Sequence, residues 1–147
     1  MTQGEFDVWR ERVVREYAAD HVAAGNWTAE ESIAKSEGQL ATALPDGLRS
    51  HNNHLWTVRD ADEAPVGILW IATGLRPGHA FIYDIEMDSS RRGEGLGTAT
   101  LLALEEWARG NGITTIGLHV FAHNEGARRL YNRLGYVETD VQMQKRL

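Results

Sequence analysis

A chain of 147 residues is one domain's worth of protein, long enough to bury a core without disulfide or metal staples. It holds no cysteine, which excludes a disulfide framework, a thiolate zinc site and a cysteine nucleophile, and no apolar run near the ~20 residues that span a bilayer. The formal net charge of −6, with lysine only at Lys35 and Lys145, leaves no basic stripe for a nucleic acid and steers cationic substrates better than anionic ones.

The segment Met1 to Arg10 is polar and has no signal-peptide core, so the expectation is a soluble cytoplasmic protein in one domain, residues 1–147, with no membrane partner. Phe6, Trp9, Val13 and Tyr17 recur at helical spacing and predict a first amphipathic helix ending at Gly25-Asn26. Thr28-Ala29-Glu30-Glu31 reads as a capping box that starts a second helix, running to about Ala43. Pro45-Asp46-Gly47 is a turn. Three strands follow, His54 to Arg59, Val66 to Ala72 and Ala80 to Asp88, joined by polar or glycine turns into an antiparallel meander. Gly97 to Arg109 is helical, with Leu101, Leu104 and Ala108 on one face, and Gly110-Asn111-Gly112 stops it. Ile113 to Phe121 is predicted as a strand parallel to Ala80–Asp88. Glu125 to Leu134 is a helix ended by Gly135, and Tyr136 to the C-terminus is read as a last strand pair.

The chemistry is concentrated in Arg92-Gly93-Glu94-Gly95-Leu96-Gly97, between a strand and a helix. Glycines let the backbone turn its N–H groups toward a ligand, the helix start adds its own free N–H groups, and Arg91 and Arg92 add forked positive donors. That combination suits a pyrophosphate. Thr98 stands where a dinucleotide fingerprint would close with glycine, and no lysine is near enough for a Walker-type loop.

In this setting the loop resembles the acetyl-CoA loop of the GNAT acetyltransferase superfamily, Arg/Gln-x-x-Gly-x-Gly/Ala, with Arg92, Gly95 and Gly97 in its fixed places. A second segment, Asn124 to Tyr136, is similar to the family's Asn-x-x-Ala-x-x-x-Tyr-x-x-x-Gly-Phe/Tyr pattern through Asn124, Ala127, Tyr131, Gly135 and Tyr136. The resemblance covers roughly Val66 onward. It implies an α/β (α+β) domain with a mixed, mostly antiparallel sheet, a V-shaped splay between its two central parallel strands, and helices on both faces.

The resemblance also implies roles. Acetyl-CoA would be a co-substrate, with pyrophosphate on Arg92, Gly93, Glu94, Gly95, Leu96, Gly97 and Thr98 and pantetheine on the backbone of Ile85 and Met87. Asn124 and Ala127 would flank it, with Asn124 serving also as a helix N-cap. Tyr131 would protonate the leaving thiolate. The base is left between His119 and Glu86, with Tyr83 a weaker choice, and some members need none. No metal is expected, because the six histidines form no His-x-x-x-His pair beside an acid. Trp27, Trp56 and Trp70 are either acceptor-pocket walls or core. The acceptor is an amine of a small molecule or peptide. A larger acyl-CoA or an acyl carrier protein as donor, a non-catalytic acyl-CoA-binding module, and a homodimer are the alternatives that the sequence leaves open.

Overall fold

Capping chemistry sets both ends of the N-terminal layer. In the computed structural model, which describes residues 1–143 and Lys145, helix α1 spans Gln3–Ala23 and helix α2 spans Ala29–Ala43. Thr2 and Thr28 each accept from the N–H three residues on, and Glu5 and Glu31 return the bond, so each helix starts with a capping box. The buried face of α1 is Phe6, Trp9, Val14 and Ala18. This differs from the expected Val13 and Tyr17 by one residue. The small Ala18 and the Val14 carbonyl, which accepts from the buried Ser36 hydroxyl at 2.9 Å, let α2 pack close. Tyr17 then turns outward, toward His21 and Trp27.

The sheet contains β1 (Asn53–Arg59), β2 (Pro65–Thr73), β3 (His79–Met87) and β4 (Thr115–Leu118) in that spatial order. The first three are antiparallel and β4 runs parallel to β3, as expected. Helices α3 (Leu96–Gly110) and α4 (Glu125–Arg133) cover one face. There Leu69, Ile71, Ala80 and Ile82 pack on Leu101, Leu104 and Tyr131. The other face, under α1 and α2, is built from Phe6, Trp9, Leu44, Leu55 and Trp70. Alternation along β2 explains the division, because Leu69 and Ile71 point one way and Trp70 the other.

Two expectations fail toward the C-terminus. The strand predicted for Ile113–Phe121 forms only at Thr115–Leu118, because the ladder with β3 ends at Ile82 opposite Leu118. Residues 136–143 form no strand; the part of that predicted pair at Gln144, Arg146 and Leu147 lies outside the described residues. Val137, Val141 and Met143 alternate as a strand would, but an alternating pattern needs a partner edge and the short β4 supplies little of one.

Candidate active site

The site begins with an unequal pairing of β3. Its ladder with β2 continues to Met87, whereas its ladder with β4 stops at Ile82. From Tyr83 to Met87 the second edge of β3 therefore has no β4 partner, and the two parallel strands splay. The Asp88 N–H donates to the Val66 carbonyl at 2.8 Å, which turns even-numbered backbone groups toward β2. By alternation, the N–H and C=O groups of Ile85 and Met87 face the open edge. An extended chain of amides can bind there as an added strand.

The loop beyond β3 is held by its own side chains. Asp88 accepts from the Ser90 N–H and hydroxyl at 2.8 and 2.7 Å. Arg91 grips Asp60 at 2.5 Å and Glu94 at 2.7 Å. These pairs hold Asp60 and Glu94 below the usual carboxylate range through hydrogen bonds from Arg91. Arg91 is thus tied into the scaffold, and the Glu94 carboxylate braces the loop through it. Arg92 is exposed and has no acidic partner among the described residues.

Gly95 is the N-cap of α3, with φ 80°, and supplies no side-chain cap. Ala99 is the first N–H to find a helical acceptor, the Gly95 carbonyl at 2.9 Å. The N–H groups of Leu96, Gly97 and Thr98 are left pointing out of the helix start, where an anion's oxygens satisfy them. At Gly97 a Cβ would come within 3.1 Å of Leu130, so the loop and α4 meet there at glycine distance.

Helix α4 carries the third part. The Asn124 side chain accepts from the Ala127 N–H at 3.2 Å and caps the helix. Ala127 packs against the core, and Tyr131, 9% exposed, belongs to it. Burial pushes the Tyr131 phenol up, and the negative charge of Asp84 adds to the effect. A phenol in this setting keeps its proton at neutral pH and can offer it in a hydrogen bond. Tyr136, 5.6 Å from it centroid to centroid, is pushed up to about 12, by burial first and then by Glu105 and Tyr131.

The opposite wall is side-chain rich. A bulge lets Tyr83 and Asp84 together oppose Trp70, because Trp70 pairs with Asp84 and Ile71 with Ile82. Tyr83 stacks on Trp70 at 4.5 Å, and the Trp9 indole N–H donates to Asp84 Oδ2 at 2.7 Å. Asp84 keeps some contact with solvent, yet its carboxyl is raised, chiefly by burial, against the hydrogen bond from Trp9 and the charge of Arg12. Glu86 is in an ion pair with Arg12. His119 lies one residue beyond β4, exposed, with its ring against Phe121. A cleft of about 840 Å³, lined by Trp27, Lys35, Gln39, Asn53 and Tyr83 among others, opens beside this wall. Trp27 therefore lines a cavity, Trp70 is core, and Trp56 packs against Trp107. Tyr83 connects the cleft with the splay.

The structure brings Ile85, Met87, the loop and Tyr131 around one gap. It binds Glu86 to a partner that the sequence did not suggest. Asp84, Trp9 and Arg12 were missed. The available signal was a carboxylate in the middle of an otherwise apolar strand, a residue type seldom buried without a partner.

Residues 11–136 match the acetyltransferase (GNAT) family. The chain is 38% identical to the uncharacterized N-acetyltransferase YdgE of Bacillus subtilis (strain 168), over all of this chain and 95% of that one. It is 39% identical to YycN of the same organism, over all of this chain and 96% of that one. The crystal structure of YycN superposes with a TM-score of 0.94, covering all of this chain and 95% of that one. A mycothiol acetyltransferase of Kytococcus sedentarius is 33% identical over 86% of this chain and 40% of its own length. The chain belongs to the GNAT acetyltransferase family and is an acyltransferase of that fold.

Proposed function

We propose that the chain transfers an acetyl group from acetyl-CoA to the primary amine of a small molecule or peptide, by direct attack within a ternary complex. The observation that carries this reading is the open edge of β3 at Ile85 and Met87, flanked by the uncapped start of α3 and by Tyr131. The residues fit the donor. Leu96, Gly97 and Thr98 offer N–H groups and Arg92 a guanidinium for the pyrophosphate, Gly93 and Gly95 leave room for its approach, and Glu94 holds the loop through Arg91. Asn124 and Ala127 set the start of α4 beside it.

Acetyl-CoA supplies an activated acyl group. The Met87 N–H donates to the acyl oxygen as charge develops there. Tyr131 gives its phenolic proton to the departing sulfur. Holding the amine against the acyl carbon converts a bimolecular encounter into a positioned one. The amine must arrive deprotonated. Of the groups read from the sequence, Glu86 is engaged by Arg12, and His119 stands exposed one residue beyond β4.

In this reading residues 1–147 act as one cytoplasmic domain on diffusible substrates, without metal, nucleic acid or membrane. Thermal unfolding with acetyl-CoA, ATP or NAD tests it. A ligand at about 100 times its Kd adds ~2.7 kcal/mol, which raises Tm by about 5–10 °C in a protein of this size. A rise with acetyl-CoA alone is expected. An equal rise with ATP overturns the acetyl-CoA assignment, and a rise only with a longer acyl-CoA or an acyl carrier protein moves the donor to those classes.

A further inference from the structure

Resting on the acetyltransferase reading above, we propose that the cleft between α2 and the sheet selects an acceptor amine that also carries a carboxylate, and that Lys35 and Gln39 hold that carboxylate. Tyr83 lines the cleft and lies one residue past Ile82, the last β3 residue paired with β4, so the cleft adjoins the gap between the strands. Its α2 wall is one stripe, Lys35, Gly38, Gln39 and Thr42, at helical spacings of three and four. Helix α2 also carries Glu30, Glu31 and Glu37, and none of them lines the cleft. Glu37 faces the groove on the other side of the helix, with Arg10 and Arg15. A chain with 21 acidic residues thus places none, among the described residues, on this wall. The net charge of −6 favours cations over the surface as a whole, but a second ammonium inside the cleft would meet Lys35 and no counter-charge.

Most polar groups of the cleft are already spent. The Thr42 hydroxyl donates to the Gly38 carbonyl at 2.9 Å. The Asn53 amide donates to the Ala43 carbonyl at 3.3 Å and accepts from the Trp70 indole at 2.8 Å. Lys35 gives one N–H to Glu31, at 2.8 Å, and its ammonium stands 5.9 Å from the Trp27 ring centre. Glu31 is itself anchored by the Thr28 N–H, so it holds Lys35 from outside the cleft and leaves two ammonium N–H groups for a ligand. The Gln39 side chain has no hydrogen-bond partner among the described residues and stands one turn after Lys35, so both donors can reach one carboxylate. Leu75, 62% exposed, and Tyr83, 44% exposed, give the cleft apolar surface for the body of the acceptor. Gly38 sits in a helix interior, where glycine is unfavourable, and a Cβ there would meet nothing within 4 Å. The space that it leaves belongs to the cleft.

The test measures thiol release from acetyl-CoA with butyl, hexyl and octyl amines that end in methyl, carboxylate or ammonium, and with the dipeptide Ala-Phe against its C-terminal amide. At the best length the carboxylate is expected to exceed its uncharged counterpart in kcat/KM by ~3- to 30-fold, with the diamine poorest. Lys35→Gln brings that ratio toward one, and Gln39→Glu turns the preference toward the diamine. Arg15→Gln removes the same charge from the opposite groove and leaves the ratio unchanged, which separates local contact from the charge of the whole chain. Gly38→Leu fills the cleft from a helix position that tolerates a side chain, so KM rises for every acceptor while the acetyl-CoA-induced rise in Tm persists. An independent readout is the Trp27 indole N–H resonance of the CoA-bound protein, identified by its loss in Trp27→Phe. Titrated with each probe it gives Kd without turnover, and the same order is expected. A ratio below threefold at every length, a ratio that survives both Lys35→Gln and Gln39→Glu, or neither turnover nor a shifted resonance with any carboxylate probe overturns the proposal. With the acetyl-CoA-induced Tm rise present, those results leave the acetyltransferase reading intact. No Tm rise and no thiol release in wild type overturns that reading as well.

Discussion

The two faces of the sheet are built from different chemistry. Under α3 and α4 the contacts are aliphatic, with Ile71 and Leu101 fully buried, and the groups aimed at the gap are backbone amides and one phenol. Under α1 and α2 they are tryptophans, tyrosines, a carboxylate and an arginine, joined by side-chain bonds such as Trp9–Asp84 and Arg12–Glu86. On the reading proposed above, the first face is the donor face, where a ligand of fixed chemistry is met by backbone geometry, and the second is the acceptor wall, where a variable ligand is met by side chains.

The sharpest way to break this comparison is at Tyr131. Tyr131→Phe is expected to reduce kcat by ~100- to 10,000-fold while the Kd for acetyl-CoA, measured by calorimetry, changes little. A parallel loss of affinity would mean that the phenol binds the donor. Next in size, Leu101→Ala removes a fully buried side chain from the donor face and costs ~2–5 kcal/mol in urea unfolding. Folded variant that remains should still bind acetyl-CoA, because the loop is braced locally by Arg91, Asp60 and Glu94.

A smaller effect shows as a slope. The Asp84 carboxyl is raised in the folded state, so the folded protein holds that proton more tightly than the unfolded chain does. Stability therefore falls as pH rises from the ordinary aspartate range through the raised value. Asp84→Asn removes that loss, and its stability by urea titration should gain on wild type across this window. The smallest effect expected is at α2, where Thr28→Ala removes the cap and costs about 1 kcal/mol by the same measurement.

How much was legible follows the same division. The donor side could be read because its residues are constrained one by one. Gly97 must be small against Leu130, Gly95 has φ 80°, and Asn124 must cap α4. Such requirements write themselves into short, ordered patterns. The helix boundaries were legible for the same reason, as at Thr28–Glu31. The acceptor wall left no comparable pattern. Trp9 and Asp84 are 75 residues apart, and their bond depends on a one-residue bulge that neither spacing nor propensity announces. Arg12, read as a polar position on a helix, captures Glu86 only because α1 crosses β3 there. The length of β4 was misjudged because alternation continues past Leu118 while its pairing with β3 does not.

The bond from Trp9 to Asp84 has a consequence for engineering. The N-terminal helices are the obvious cassette to exchange when a new substrate preference is wanted. In this protein such a graft would also remove the indole that orients Asp84. A chimera would then leave an enclosed carboxylate on β3 without its donor, so the helices and the strand wall they pack against have to be transplanted as one piece.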